Sequence, residues 1–254
     1  MLDYAAFPQQ RQALICQILQ ENGRCVCAGV GAGLRLWEHT SRRDLHELSR
    51  EGFCKKVYGG AVLSLPEAGD YSQRKDKNRA IKLRIAQQCA RLVKPGGTIF
   101  IDTGTTNLAM AEALPAELAL TVVTNSPEIA AVLVKKPLYD VVILGGQVQR
   151  ASGGCVGAAA VAQVQGMVFE PGFIGGCAMA PESGLTGFDY ADCEFKKAVI
   201  KQCSEIIVGL TSDKIPAAAR FVVAASSDID VLVVEENISR EYRVAFQQHD
   251  IRIY

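Results

Sequence analysis

From residue 98 onward the chain alternates short apolar runs with stretches of helical periodicity, and this alternation restricts the possible folds more than any other feature. The runs fall at 98–102, 120–125, 140–144, 169–175, 205–210, 231–234 and 251–253. Each is too short for a helix, and most are rich in Val, Ile and Phe, as in strands buried on both faces. Helical segments at 106–116, 127–136, 157–165, 192–203 and 240–249 lie between several of them. Strands alternating with helices predict an α/β fold with a largely parallel sheet covered on both sides. Pro95-Gly96-Gly97 separates this region from a helix at 77–93 that carries Ile81, Ile85, Cys89 and Leu92 on one side.

The first 61 residues follow a different plan. Residues 8–20 read as a helix with Ile15, Ile18 and Leu19 at core spacing. The stretch from Thr40 to Gly52 reads as a second helix, with Thr40 as its cap and Gly52 as its stop. On it, Ser41, Leu45 and Leu48 share one face, while Arg42, Arg43, His46 and Arg50 share another. Phe53 to Ala61 then alternates apolar and basic positions around Gly59-Gly60, as a hairpin does. A guanidinium-striped helix followed by a basic hairpin suits entry into a DNA major groove, with a wing on the phosphates. By stripe and spacing alone, a solvated charged helix is the better fit.

Whole-chain properties narrow the classes. Twenty-seven basic residues balance 27 acidic ones, and the first 60 residues hold eight Lys or Arg against six Asp or Glu. Any nucleic-acid affinity must therefore come from a local patch. The nine cysteines are scattered without a Cys-x-x-Cys pair, and there are three histidines. That pattern predicts reduced thiols, no structural metal and a cytoplasmic protein. No signal peptide and no run of membrane-spanning length is read in the sequence, so no membrane partner is expected.

In parallel sheets, ligands bind beyond the carboxyl ends of the strands. The run at 98–102 delivers Asp102-Thr103-Gly104-Thr105-Thr106 directly into a helix. A glycine and hydroxyls at a helix N-terminus offer backbone N–H groups and a positive dipole end to an anion. Capping for purely structural reasons would look the same. The next strand ends in Thr124-Asn125 and the third in Gly145-Gly146, so three neighbouring strand ends carry ligand-compatible chemistry. Asp192, Lys196, Lys197 and Lys214 follow, as point charges or as ordinary surface groups.

Two sets of residues give the chain a resemblance to a known family. Thr40 to Leu45, Gly52 and Tyr58-Gly59-Gly60-Ala61 resemble the recognition helix and wing of the DeoR family of bacterial transcription regulators. Asp102, Gly104, Thr105 and Thr106, then Thr124 and Asn125, Gly145 and Gly146, and Asp192 with Lys196 resemble the signature of that family's sensor domain. Arg74, Asn78 and Lys82 also match its spacing, so the resemblance covers about residues 8 to 254. The sensor domain of the family is similar to ribose-5-phosphate isomerase.

The resemblance implies a winged helix-turn-helix over 1–61, a linker over 62–76 and a largely parallel α/β sensor over 77–254. It implies a non-enzymatic, homo-oligomeric repressor of a carbohydrate-metabolism operon, relieved by a phosphorylated sugar and needing no cofactor. Thr40, Arg42, Arg43, His46, Arg50, Lys55 and Lys56 would meet operator DNA. Asp102, Gly104, Thr105, Thr106, Thr124, Asn125, Gly145 and Gly146 would hold the effector, with Lys196 as counter-charge.

The sequence departs from the family pattern at several places. Residues 29–37 (Gly-Val-Gly-Ala-Gly-Leu-Arg-Leu-Trp) replace a helix and turn, and three glycines there would cost roughly 2 to 3 kcal/mol against alanine if helical. Ser41 replaces an apolar anchor, at a cost on the order of 2 to 4 kcal/mol. Gly187 stands where Thr is usual, and Thr211-Ser212-Asp213-Lys214 replaces Asp-x-Ser-Lys. Two other classes therefore stay open. One is a sugar-phosphate-binding protein that has lost DNA binding. The other is an isomerase-like enzyme using Asp102, Asp192 and Glu194.

Overall fold

The computed structural model describes residues 7–27, 38–66 and 69–254; the glycine-rich segment 29–37 lies outside them. Helix α1 (Pro8–Asn22) opens on a proline, whose fixed φ suits a first helical turn. It closes on Gly23 in the left-handed conformation, whose N–H donates to the Leu19 carbonyl. Strand β1 (Arg24–Val26), helix α2 (Glu38–Arg50) and strands β2 (Cys54–Val57) and β3 (Gly60–Leu63) are the other elements of the first module among the described residues. The strands pair antiparallel in the order β1-β3-β2. Ile15 and Leu19 from α1 meet Leu45 and Leu48 from α2 over Cys25, Cys54 and Ala61. Helix α2 begins two residues before Thr40, which therefore sits in its first turn and does not cap it.

Residues 62–76, expected as a linker, include the end of β3, a bridge between Ser64 and Ala218, and helix α3 (Tyr71–Lys75). The Asp70 N–H donates to Gln73 Oε1, a local turn that hydrophobic periodicity does not reveal. Helix α4 (Arg79–Arg91) follows, buried along Ile85, Ala86, Cys89 and Ala90.

The remaining elements, in chain order, are β4 (Thr98–Ile101), α5 (Thr105–Ala113), β5 (Leu120–Thr124), α6 (Pro127–Leu133) and β6 (Tyr139–Ile143). Next come β7 (Gln147–Val148), β8 (Cys155–Val156), α7 (Ala158–Val164), β9 (Phe169–Ile174), β10 (Ala178–Ala180) and β11 (Gly184–Gly187). The chain ends with α8 (Tyr190–Ile200), β12 (Cys203–Gly209), β13 (Phe221–Ala224), β14 (Val231–Val233), α9 (Arg240–Gln247) and β15 (Arg252–Ile253).

Seven strands form a sheet in the order β15-β14-β12-β9-β4-β5-β6 with every pair parallel. They are the seven apolar runs of the sequence. Alternation along β4 sends Phe100 to one face, against Phe169 and Phe195 with ring centroids 5.3 and 6.1 Å away. Ile99 and Ile101 pack on the other face with Ile85, Cys89 and Met110. From β4 the chain builds outward through β5 and β6, then returns to place β9 on the opposite side. The order thus reverses between β4 and β9, where ligands enter sheets of this kind.

A second sheet, β10-β11-β13, is antiparallel and was not foreseen. Gly184 to Gly187 reads in the sequence as a helix entry, yet it is the central strand of this sheet. Its residues are small or fully buried, so no alternation marks it.

Candidate ligand cavity and nucleic-acid interface

At the β4/β9 reversal, the Asp102 carboxylate crosses between the two strands and its Oδ2 accepts the Gly175 N–H at 2.8 Å. A Cβ on Gly175 would lie 2.7 Å from the Thr103 carbonyl, so the approach requires glycine. Gly104, at φ +145, swings the chain from β4 into α5, a backbone state that side chains disfavour. The first turn of α5 then opens onto a cavity lined by Gly104, Thr105, Thr106 and Asn107. Across from it stand Gly175, Gly176, Asp192 and Lys196, with Arg74 of α3 and Lys214 completing the wall.

The charges of this cavity divide into two groups. Asp102 and Lys196 are buried, with Lys196 Nζ 3.4 Å from Asp102 Oδ2 and hydrogen-bonded to Asp192. Burial lifts the Asp102 carboxyl to about 6 against the opposing pull of Lys196. Lys196 is held charged by Asp102 and Asp192, which outweigh its own burial. One oxygen of each aspartate, Oδ1, is buried with no hydrogen-bond partner among the described residues.

The second group is cationic: Arg74 and Lys214 line the cavity, and Lys82, outside that lining, stands behind them and donates to the Arg74 carbonyl. Lys82 is pushed down to about 8 by burial and then by Lys214 and Arg74. Lys214 is also pushed down, by burial and by Arg74 and Lys77. Their hydrogen bonds go to carbonyls: Arg74 Nη2 to Ala151 at 2.5 Å, Lys82 to Arg74, and Lys214 to Gly176 at 3.1 Å. Arg74 Nε is buried and without a hydrogen-bond partner among the described residues. Arg74 and Lys214 thus reach the cavity beside a helix N-terminus and two threonines, with Asp213 as the nearby anion.

The expected effector residues are thus partly assembled. Gly104, Thr105, Thr106 and Lys196 line the cavity, and Asp102 fixes its floor. Thr124 and Asn125 lie one strand away, fully buried, and act on the cavity through its loops. The Asn125 Oδ1 accepts the Thr103 N–H at 2.9 Å, and its amide donates to the Cys155 carbonyl at 3.2 Å. Gly145 and Gly146 follow the edge strand β6, are exposed and do not line the cavity. Gly145 N–H donates to Gln163 instead. The sequence reading placed Arg74 and Lys214 among candidates only, and missed Ser152, whose carbonyl accepts the Thr103 hydroxyl at 3.0 Å. Among the described residues no cluster of His, Cys, Asp or Glu suits a metal ion, and no helix could span a membrane.

In the first module, Arg42, Arg43, His46 and Arg50 are exposed on α2, opposite buried Ser41, Asp44, Leu45 and Leu48. Asp44 is a latch the sequence reading did not find. Its carboxylate takes two buried hydrogen bonds from Arg11, at 2.7 and 3.0 Å, tying α2 to α1. The signal was a charge within the apolar face of each helix. Lys55 and Lys56 fall on opposite faces of β2: Lys56 is exposed, whereas the Lys55 ammonium is buried without a hydrogen-bond partner among the described residues. Burial pushes the Lys55 pKa down.

Comparison with known proteins covers both modules. Residues 11–66 match the DeoR-like helix-turn-helix domain and residues 77–236 match the DeoR C terminal sensor domain. The chain is 29% identical to the HTH-type transcriptional regulator GolR of Listeria innocua, over 95% of this chain and 96% of that one. It is 30% identical to the glycerol-3-phosphate regulon repressor of Haemophilus influenzae, over 87% of each chain, and 26% identical to that of Escherichia coli, over 89% and 90%. Ribose 5-phosphate isomerase A of Methanocaldococcus jannaschii overlaps 54% of this chain and 55% of its own, at 19% identity and a TM-score of 0.41. With a winged module and a sensor module matched in the same order, the chain belongs to the DeoR family of transcriptional regulators.

Proposed function

We propose that this protein is an operator-binding repressor of a carbohydrate-metabolism operon whose grip on DNA is released by a phosphorylated sugar. One observation carries the ligand class: Arg74 and Lys214 line the cavity beside the N-terminus of α5, and among the described residues their hydrogen bonds go to carbonyls. A phosphate dianion satisfies both, together with the Thr105 and Thr106 hydroxyls, while Lys82 adds its charge from behind Arg74. Asp192 lines the same cavity with its Oδ1 unpartnered, an acceptor suited to a sugar hydroxyl. Asp102 is pinned between Lys196 and the Gly175 N–H, which suits a structural anion better than a proton shuttle. The relatives are named as regulators and repressors, two of them of a glycerol-3-phosphate regulon.

On the DNA side, Arg42, Arg43, His46 and Arg50 read the major groove, Thr40 meets the backbone beside the helix start, and Lys56 contacts phosphate from the wing. The protein works as a homo-oligomer. Support comes from exposed Val134, Leu138, Val142, Ile143 and Val148 on and beside the edge strand β6, an apolar margin open to a second copy. The test is binding of full-length protein to its own upstream DNA across a salt series, with and without glycerol 3-phosphate and related sugar phosphates. Specific binding with a steep salt slope, weakened by one of these phosphates, is the expected result. Binding no better than to random duplex, from folded protein, overturns the DNA half of the reading. Indifference to every phosphorylated sugar overturns the other half.

A further inference from the structure

The cavity and the winged module share one short strip of chain. Lys214 lines the cavity at one end of the strip. Five residues later the Ala219 N–H donates to the Thr186 hydroxyl at 2.8 Å, and Thr186 lines the same cavity. Between these two anchors the strip is hydrogen-bonded to the other module. The Ala218 N–H donates to the carbonyl of Leu63 in β3 at 2.9 Å, and the Leu65 N–H returns a bond to the Ala218 carbonyl at 3.1 Å. Ala218 is fully buried against Val62 of β3 and Ala180 of β10. Pro216 lies so close to Gly23, at the end of α1, that a Cβ there would come within 2.7 Å of the proline ring.

We propose that residues 214–219 are the connector through which cavity occupancy sets the placement of the winged module. This rests on the cavity being the effector site argued above. An anion that draws the Lys214 ammonium from the Gly176 carbonyl, or repositions Thr186, moves one or both ends of the strip. Its middle is three small buried residues, Ala217, Ala218 and Ala219, at 2%, 0% and 5% exposure. Packing that close cannot absorb a shift locally, so β3 must follow or the bonds to Leu63 and Leu65 must break. Either response re-aims α2 through the core it shares with β3. Other contacts between modules among the described residues include Arg24 with Glu182, Glu241 and the Tyr242 ring, the Tyr242 hydroxyl to the Asn22 carbonyl at 2.8 Å, and Val57 and Leu65 packed beside the strip.

Hydrogen exchange on the full-length protein tests the connector, with glycerol 3-phosphate and inorganic phosphate as probes. The expected result is protection at 104–107 accompanied, at the same probe concentration, by altered exchange at 63–65 and 217–219. Protection at 104–107 with those segments unchanged overturns the connector and leaves the cavity reading standing. No response at 104–107, even in tens of millimolar phosphate, overturns the cavity reading and the connector with it. A second arm uses Ala218→Leu, which wedges the strip from β3 without touching the cavity. The operator Kd ratio with and without probe, typically about 5- to 150-fold for coupled sites, should fall toward one while protection at 104–107 persists. Tyr242→Phe should keep the ratio of the unaltered protein. A full ratio in Ala218→Leu overturns the proposal, and if that variant does not fold, the exchange pattern of the unaltered protein decides it.

Discussion

Ser41 is fully buried on the face of α2 that meets α1, and its hydroxyl has no hydrogen-bond partner among the described residues. An unsatisfied buried hydroxyl costs about 1 to 3 kcal/mol, so Ser41→Ala should raise the stability of the winged module by roughly that amount in urea denaturation. No gain would mean that the hydroxyl finds a partner in solution. Asp102 presents the opposite case, a buried charge held by its neighbours. Its folded pKa of about 6 exceeds the unfolded carboxylate value, because burial outweighs Lys196. The associated stability is therefore full below about pH 4 and is lost as pH rises through about 6. Lys196→Met removes the cation shared by Asp102 and Asp192, and breaking such a buried pair costs about 3 to 5 kcal/mol. Without that cation Asp102 resists ionisation further, so the variant should lose more stability at about pH 7.5 than at about pH 5. Equal losses at both would show that Asp102 does not titrate in this range.

At the scale of elements, strand β2 separates two lysines that the sequence reading put together on DNA. Alternation sends Lys56 outward and the Lys55 ammonium inward. Lys56→Ala should therefore lower the salt slope of operator binding by about one, while Lys55→Ala leaves the slope unchanged. A slope change for Lys55→Ala would place that side chain on a phosphate after all. The elements also show what a sequence makes legible. All seven strands of the large sheet were readable as short apolar runs; the central ones are so because they are buried on both faces, while edge strand β6 keeps Val142 and Ile143 although they are exposed. Strands β10 and β11 were not, since Ala178, Ala180, Gly184 and Gly187 contribute too little apolar bulk to signal burial; β13 is itself a short apolar run, Phe221–Ala224, that the reading passed over. In the site, Gly104 to Thr106 was legible as a helix entry beside a strand end. Arg74 and Lys214 are separated from that turn by 30 and 108 residues of sequence, and only the sheet order brings them to it. Gly145 and Gly146 carried the right chemistry on the wrong strand, because strand order is not written in local pattern.

At the scale of the whole molecule, a chain of zero net charge concentrates its function in local fields. One lies along α2 and the other around Lys82, Lys214 and Arg74. On the proposed reading of the cavity as a phosphate site, the second field makes binding dependent on pH. In the free protein Lys82 is held down to about 8 by burial and by its cationic neighbours. A bound phosphate dianion opposes that repulsion and returns Lys82 toward the ordinary lysine range near 10.4. The group therefore takes up a proton on binding, and affinity is strongest below about 8 and falls as pH rises toward about 10. By reciprocity, a sugar phosphate that weakens operator binding at neutral pH should do so less at alkaline pH. Calorimetric titration of glycerol 3-phosphate in two buffers of different ionisation enthalpy, near pH 8.5, should reveal net proton uptake. Lys82→Met should reduce that uptake, leaving the share of Lys214, whose ammonium is also pushed down. Proton release, or uptake undiminished by Lys82→Met, would separate Lys82 from the anion and leave Arg74 and Lys214 to hold the phosphate alone.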